Sequence, residues 1–372
     1  MLTSLDLFTG IGGFSHALSN VCKPIAYCDV HDLSKRALHD LMDRGLLPHA
    51  PIFHDVKEIT PQTLEATCGV KTFDVLCAGF PCQDVSVMNI RGKGIDGERS
   101  GLIHEVLRIA RACQPSLLFL ENSPNLIHRG LDRIQADLKK IGYSDFRWDI
   151  FSAEDVGAPH VRRRFYMVAV HRNPKSNAVL RKCLSLLLSL LEHHHKRQKQ
   201  KDNNSPSFWS THRPPVRVIP KSPQKVEELN ARGFLLGNAV VPPCTLHACM
   251  SLCRSLILPS SRIPLHLPHK KLTCELEMLV PKTKRIGEDP VVEYRKKHWA
   301  TPLSCNWYAS RVGSDRAMQH LPNQILYEKR TREYMKKKGK PNTDDWIVNP
   351  EFIEWLIGFP RGWTKYSARK RL

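Results

Sequence analysis

Along the first 170 residues, short apolar runs alternate with longer stretches of helical spacing. SLDLF (4–8), PIAYCDV (24–30), IFHDVKEI (52–59), FDVLCAGF (73–80), SLLFLEN (116–122) and FYMVAV (165–170) read as six strands. Between them, SKRALHDLMD and GLIHEVLRIARAC carry the spacing of amphipathic helices. Strands that alternate with helices imply an α/β fold, a doubly wound and mostly parallel sheet. The most apolar stretch, AVLRKCLSLLLSLL (178–191), is interrupted by Arg181, Lys182 and two serines. It is too short to span a bilayer and reads as a buried helix. Met1 leads directly into the first strand-like run, so neither a secretory leader nor a membrane partner is expected.

Beyond residue 190 the pattern weakens. LEHHHKRQKQKDNNSPS (191–207) is a charged, low-complexity linker by composition, and its three histidines read as a solvated helix end. KVEELNARGFLLGNAVVPPCTLHACMSLCRSL returns to apolar spacing and ends in a helix. Residues 255–290 are Pro-rich and irregular, and EKRTREYMKKKGK (328–340) is a basic, helix-like run. NPEFIEWLIGFPRGWT is a punctuated helix: Asn349 caps it, Pro350 opens it, Gly358 stops it and Pro360 follows. Phe352, Trp355 and Leu356 share one face, and a small packed core is the better reading for Phe352 and Trp355.

In a doubly wound sheet, ligands bind beyond the carboxyl ends of the strands. Asp6, Asp29, Asp55, Cys82 and Glu121 all fall at or near such ends. The first strand runs into TGIGGF, a glycine turn followed by a helix, which brings backbone N–H groups against a ligand. The turn lacks the full GxGxxG spacing, which argues against a nicotinamide site. Asp29 ends the second strand about 20 residues past the turn, where a carboxylate holds ribose hydroxyls.

Composition adds a division of charge. The chain of 372 residues has a net charge of +20, but residues 1–170 carry 19 Lys and Arg against 20 Asp and Glu, while 171–372 carry 37 against 16. A neutral half beside a basic one suits an enzyme acting on a polyanion. The aromatic residues Trp299, Trp307, Tyr308, Trp346, Trp355 and Trp363 in the basic half favour nucleic acid. The twelve cysteines are scattered, with no disulfide-framework spacing and no CxxC pair, which points to a reducing, intracellular compartment. Cys244, His247, Cys249 and Cys253 lie on a helical pattern and read better as small core residues than as a metal box.

The segment DVLCAGFPCQDVS (74–86) sets Cys82 between Pro81 and Gln83, just past a strand end. A lone cysteine is more often a buried apolar residue, but Gln83 and Asp84 are unusual neighbours for one. A free thiol is mostly protonated at neutral pH, and nearby positive charge raises the thiolate fraction. APHVRRRFY (158–166) offers Arg162, Arg163 and Arg164 for that purpose.

DLFTGIGGF, GFPCQ, FLENS, APHVRRRF and GNAVVP (237–242), taken together, resemble the DNA cytosine-5 methyltransferases. The first four occur in family order over roughly residues 1–170, and the terminal NPEFIEWLIGFPRGWT is most similar to the phage and bacterial branch. The resemblance implies a class I, Rossmann-like methyltransferase fold with S-adenosyl-L-methionine as methyl donor. Asp6, Phe8, Gly10, Gly12, Asp29, Asp55, Leu102, Asn238 and Val240 would line the cofactor site. Cys82, between Pro81 and Gln83, would be the nucleophile and Glu121 would grip the base. Asn122 would hold the loop, and Arg162 and Arg164 would orient the base. The Gly-rich stretch after Cys82 would serve as a lid. The partner implied is double-stranded DNA with the cytosine flipped out, bound by a monomer. An RNA cytosine methyltransferase and a non-enzymatic DNA-binding module are the alternatives.

Two residues depart from the family pattern: His160 stands where glutamine is usual, and Ser123 where valine is common. The order departs further, because only about 70 residues separate the arginine motif from GNAVVP. The expected division is therefore a catalytic domain of 1–175 plus 226–254, a helix and linker over 176–225, and a basic C-terminal target-recognition domain over 255–372.

Overall fold

The computed structural model describes residues 1–81, 100–198, 208–257, 299, 329–339 and 346–365. Cys82, Gln83 and most of the Gly-rich stretch after them lie outside the described residues, as does most of 258–345.

The chain runs β1 (Leu2–Leu7), α1 (Gly13–Ala17), β2 (Cys22–Cys28), α2 (Asp32–Asp43), β3 (Ile52–Phe53), α3 (Pro61–Cys68) and β4 (Val75–Gly79). It continues through α4 (Ile103–Cys113), β5 (Leu117–Asn122), α5 (Leu131–Lys140), β6 (Tyr143–Ser152) and β7 (Arg163–His171). Then come α6 (Ser176–Gln198), α7 (Phe208–Thr211), β8 (Val218–Pro220), α8 (Pro223–Asn238) and α9 (Pro242–Ile257). Last are α10 (Lys329–Lys337), β9 (Trp346–Val348) and α11 (Pro350–Ile357).

Seven strands form one sheet in the order β3-β2-β1-β4-β5-β7-β6. The first five are parallel, and β7 runs antiparallel between β5 and β6. The expected doubly wound, mostly parallel sheet is thus present. Neighbouring residues of β5 face opposite layers: Leu117 and Phe119 pack with α1, α2, α6, α8, α9 and α11, while Leu118 and Leu120 pack with α3, α4 and α5. Both faces are buried, which is why the inner strands read as continuous apolar runs.

The apolar runs did not reveal β6. It is the edge strand, it alternates polar and apolar residues (YSDFRWDIFS), and Trp148 on it is 37% exposed. Partial solvation removes the need for a continuous apolar run.

The helix expected at 178–191 extends to Gln198, so the charged stretch after Leu190, expected as linker, begins as helix. Its Leu180, Cys183, Leu184 and Leu187 are buried in the same core as α9. Cys244, Cys249 and Cys253 of α9 are buried there too. Among the described residues no three His, Cys, Asp or Glu are arranged to hold a metal ion. The run through α8 and α9 is apolar and long enough to cross a membrane, but 72% of its most apolar window is buried inside the protein.

The C-terminal stretch 346–365 packs on this same body. β9 pairs antiparallel with β8. Asn349 caps α11 by accepting the Glu351 N–H at 3.1 Å, Pro350 opens the helix, and Gly358 ends it at φ 86°. Only glycine takes that left-handed turn at low cost. Phe352, Trp355 and Leu356 are buried, as their shared face suggests. The Trp355 indole N–H donates to His212 O at 2.7 Å, and that of Trp209 to Trp355 O at 2.9 Å.

A charged cluster lies inside this contact. The Glu354 carboxylate accepts from Arg232 Nη2 at 2.8 Å, from the Thr364 N–H at 2.7 Å and hydroxyl at 2.6 Å, and from the Gly362 N–H at 2.5 Å. Arg232 Nε also donates to the Thr364 hydroxyl at 2.9 Å. Glu354 is fully buried and Arg232 nearly so.

Candidate active site

The carboxyl ends of β1, β2, β4 and β5 meet on one edge of the sheet. After β1 the chain turns through Phe8 (φ 54°), Gly10 (φ 58°) and Gly12 (φ 74°). Positive φ at a phenylalanine is strained and needs support from its surroundings. Thr9 supplies some of it: its hydroxyl donates to Asp6 O at 2.7 Å and accepts the Cys28 N–H at 3.2 Å. A Cβ at Gly10 would meet nothing within 4 Å, so the space beside the turn is open. At Gly13 a Cβ would come within 2.5 Å of Val240 Cγ2, so glycine is required for the GNAVVP loop to lie on the turn.

Asp29, buried at the end of β2, accepts the Gly10 N–H at 2.7 Å with Oδ2 and the His31 N–H at 2.9 Å with Oδ1. It shapes the turn while each oxygen retains a lone pair for a ligand. Asp55 follows β3 and caps the short 3-10 turn Val56–Glu58, accepting the Lys57 N–H at 2.9 Å. Leu102 ends the turn before α4 and packs against the apolar layer of that face. Asn238, exposed at the end of α8, donates to Phe234 O at 3.1 Å.

Asp6 lies beneath the turn and accepts the Ser15 hydroxyl at 2.7 Å. Burial pushes its carboxyl up to about 7, against the opposing hydrogen bonds from Ser15. The folded state therefore holds this proton where the unfolded chain has lost it. The stabilisation is full below the unfolded value of about 3.9 and is lost as pH rises through about 7. Asp6→Asn is expected to reduce the loss of stability between pH 5 and pH 8 by roughly 2–3 kcal/mol, read by urea unfolding at both values. Equal pH slopes in the two proteins would refute this.

Glu121 ends β5 opposite Gly79 of β4. A Cβ on Gly79 would stand 3.2 Å from Glu121 Oε2, so the glycine makes room for the carboxyl. Gly79 was not singled out from the sequence, since its role follows from strand register. Arg164 Nε lies 3.1 Å from Glu121 Oε1. Burial raises the Glu121 pKa, and the charges of Arg164 and then Arg162 oppose that rise. Asn122 is buried. Its amide donates to Phe80 O at 3.1 Å and accepts the Ser123 N–H at 2.7 Å, which ties the strand carrying Glu121 to the residue before Pro81. Pro81 is half-buried at the start of the cysteine segment.

Arg162 is buried, and Nη2 donates to Gly237 O at 2.8 Å and Ala239 O at 2.9 Å. Those bonds tie the residue just before β7 to the GNAVVP loop, and the Arg162 charge also acts on Glu121. Arg163 is exposed. His160 is fully buried, and the Trp299 N–H donates to Pro159 O at 2.8 Å beside it.

The arrangement brings an open glycine turn, the buried Asp29 carboxylate and the buried Glu121 carboxyl with Arg164 to one sheet edge, beside Pro81 at the start of the cysteine segment. Residues 2–245 match the family described as C-5 cytosine-specific DNA methylase. The chain is 27% identical to the Type II methyltransferase M.CviJI of Paramecium bursaria Chlorella virus IL3A, over 98% of both chains. It is 33% identical to M.HpaII of Haemophilus parainfluenzae over 47% of this chain and 48% of that one. With M.HhaI of Haemophilus parahaemolyticus it shares 30% identity over 45% and 48%. The match thus spans about half the length of those two bacterial relatives and nearly all of the viral one. By this match and this sheet edge, the chain belongs to the C-5 cytosine-specific DNA methylase family and is a DNA (cytosine-5) methyltransferase.

Proposed function

We propose that the protein transfers a methyl group from S-adenosyl-L-methionine to carbon 5 of a cytosine flipped out of duplex DNA, with Cys82 as nucleophile and Glu121 as the group that holds the base. The observation that carries this reading is the Asn122 bond to Phe80 O, because it joins the Glu121 strand to the cysteine segment. The open space at Gly10 and the lone pairs of Asp29 suit an adenosyl cofactor. Gly10, Gly12 and Phe8 would wrap it, Asp29 would take the ribose, Asp55 and Leu102 would flank the adenine end, and Asn238 and Val240 the methionine end. Asp6 would support the turn from below. When bound, the cofactor supplies an electrophilic methyl group.

Carbon 5 of cytosine is a weak nucleophile. Addition of the Cys82 thiolate to carbon 6 forms a sulfur–carbon bond and moves electron density onto carbon 5. Glu121, its pKa raised by burial, shares a proton with ring N3 and accepts from the exocyclic amine, which stabilises that density. Arg164 holds the carboxyl in place, and Arg162 holds the loop closing the methionine end. After transfer, the carbon-5 proton leaves to solvent, the sulfur–carbon bond breaks, and the thiolate returns. Pro81, with its φ fixed by the ring, would set the path of the chain into Cys82. A duplex hides carbon 6 in the base stack, so the cytosine must be extruded.

The catalytic body in this proposal is wider than 1–175 plus 226–254, since α6 and residues 346–365 share its core. Target recognition falls to the basic segment between α9 and β9. There α10 carries Lys336 and Lys337 with Met335 buried beneath, and phosphate contact by its basic face would position the duplex. The enzyme works inside the cell, as a monomer on its DNA.

The test is bisulfite sequencing of random duplex DNA, and of RNA, after incubation with protein and methyl donor. Protected cytosines in a fixed context in DNA are expected. Methylation confined to RNA, or absent from both, would overturn the proposal.

A further inference from the structure

The glycine turn is held from behind by a residue 352 positions away. The Trp363 indole N–H donates to Ile11 O at 2.9 Å, inside the turn between Gly10 and Gly12. Trp363 is 1% exposed, so that donor has no recourse to water. Its ring lies 4.3 Å from His16 of α1 and 5.2 Å from Phe359. Phe359 in turn lies 3.7 Å from where a Cβ on Gly13 would stand. The strap is fastened at its outer side as well, where Arg44 Nη1 donates to Gly362 O at 2.9 Å. At its inner side, Glu354 accepts the Gly362 and Thr364 N–H groups.

A turn with three left-handed residues, one of them phenylalanine, does not keep its shape unaided. Asp29 holds it at Gly10 from the ligand side. Trp363 holds it at Ile11 from the core side. The residues that close the chain after the basic segment therefore set the geometry of the turn that faces the cofactor.

We infer that Trp363 is a positioning residue for the methyl donor: its indole N–H fixes the glycine turn in its binding shape, so that the 346–365 strap, which follows the DNA-reading segment, governs cofactor affinity. The inference rests on the functional reading given above. Trp363 touches neither donor nor base in it, and acts through Ile11.

Trp363→Phe keeps an aromatic ring against His16 and Phe359 and removes only the donor. The dissociation constant for S-adenosylhomocysteine, measured by titration calorimetry, is expected to rise about 5- to 10-fold, as for one lost buried hydrogen bond. KM for the methyl donor should rise in parallel, with kcat at saturation and DNA affinity changed less than about 2-fold. Amide hydrogen exchange at residues 10–13, without ligand, should quicken by about 10-fold while the β4 and β5 amides stay protected. Arg44→Ala, which loosens the strap at a partly exposed site, should shift S-adenosylhomocysteine binding the same way by about 2-fold. Unchanged binding and unchanged exchange in Trp363→Phe would overturn the inference. So would equal losses of S-adenosylhomocysteine and DNA binding with exchange raised across the whole sheet, the signature of general destabilisation. Should the unaltered protein bind no S-adenosylhomocysteine, the functional reading fails instead, and the exchange result still decides whether Trp363 holds the turn.

Discussion

Cys82→Ser is expected to lower kcat for methyl transfer by roughly 10⁴-fold or more, the scale of removing a covalent nucleophile. The hydroxyl stays protonated at neutral pH, so little of it can add to carbon 6. Binding of S-adenosylhomocysteine and DNA should persist, because Asp29, the glycine turn and the basic segment are untouched. Duplex DNA with 5-fluorocytosine at the target gives a second reading. Fluorine at carbon 5 cannot leave as a proton does, so the unaltered enzyme and methyl donor should yield a covalent complex that survives denaturing electrophoresis. Cys82→Ser should yield none. Substantial turnover by the serine variant, or no trapped complex with the unaltered enzyme, would remove the mechanism.

The largest effect on stability is expected at Glu354. Its carboxylate is fully buried and receives bonds from Arg232, Thr364 and Gly362. Among the described residues, Glu354→Ala leaves the buried Arg232 with only the half-exposed Glu228, 2.6 Å from Nη1, as a counter-charge. It also strands the Gly362 and Thr364 N–H groups. Breaking one partner of a buried ion pair costs about 3–5 kcal/mol. Replacing both members, as Arg232→Met with Glu354→Leu, should cost less, because no charge is then left buried and only the Gly362 and Thr364 donors lose their acceptor. Urea unfolding of the unaltered protein and these two variants tests this. A loss below about 1 kcal/mol for Glu354→Ala would show that the cluster does not bear on stability.

The same cluster marks where sequence reading stops. Neither Arg232 nor Glu354 stands out in its own segment, since a charge on a helix is ordinarily solvated. Only the docking of α11 on α8 turns them into a buried pair. Strand β6 escaped notice for a related reason: an edge strand needs no unbroken apolar run. Arg162 and Arg164 look alike in HVRRRFY. The folded chain sets Arg164 beside Glu121, while Arg162, just before β7, bonds Gly237 and Ala239.

What residue order alone determined is what local chemistry can carry. Buried parallel strands demand continuous apolar runs, tight turns demand glycine, and a helix end demands Asn349 and Gly358. The chemistry of the site also sits in short contiguous motifs, from the glycine turn to GNAVVP. Tertiary structure decided how the distant ends of the chain meet. Glu121 needs the bare Cα of Gly79, Gly13 needs to be bare beneath Val240, and Ile11 O finds its donor in Trp363. Such pairings depend on strand register and helix docking, which are settled by packing over the whole core and leave no periodic trace along the chain.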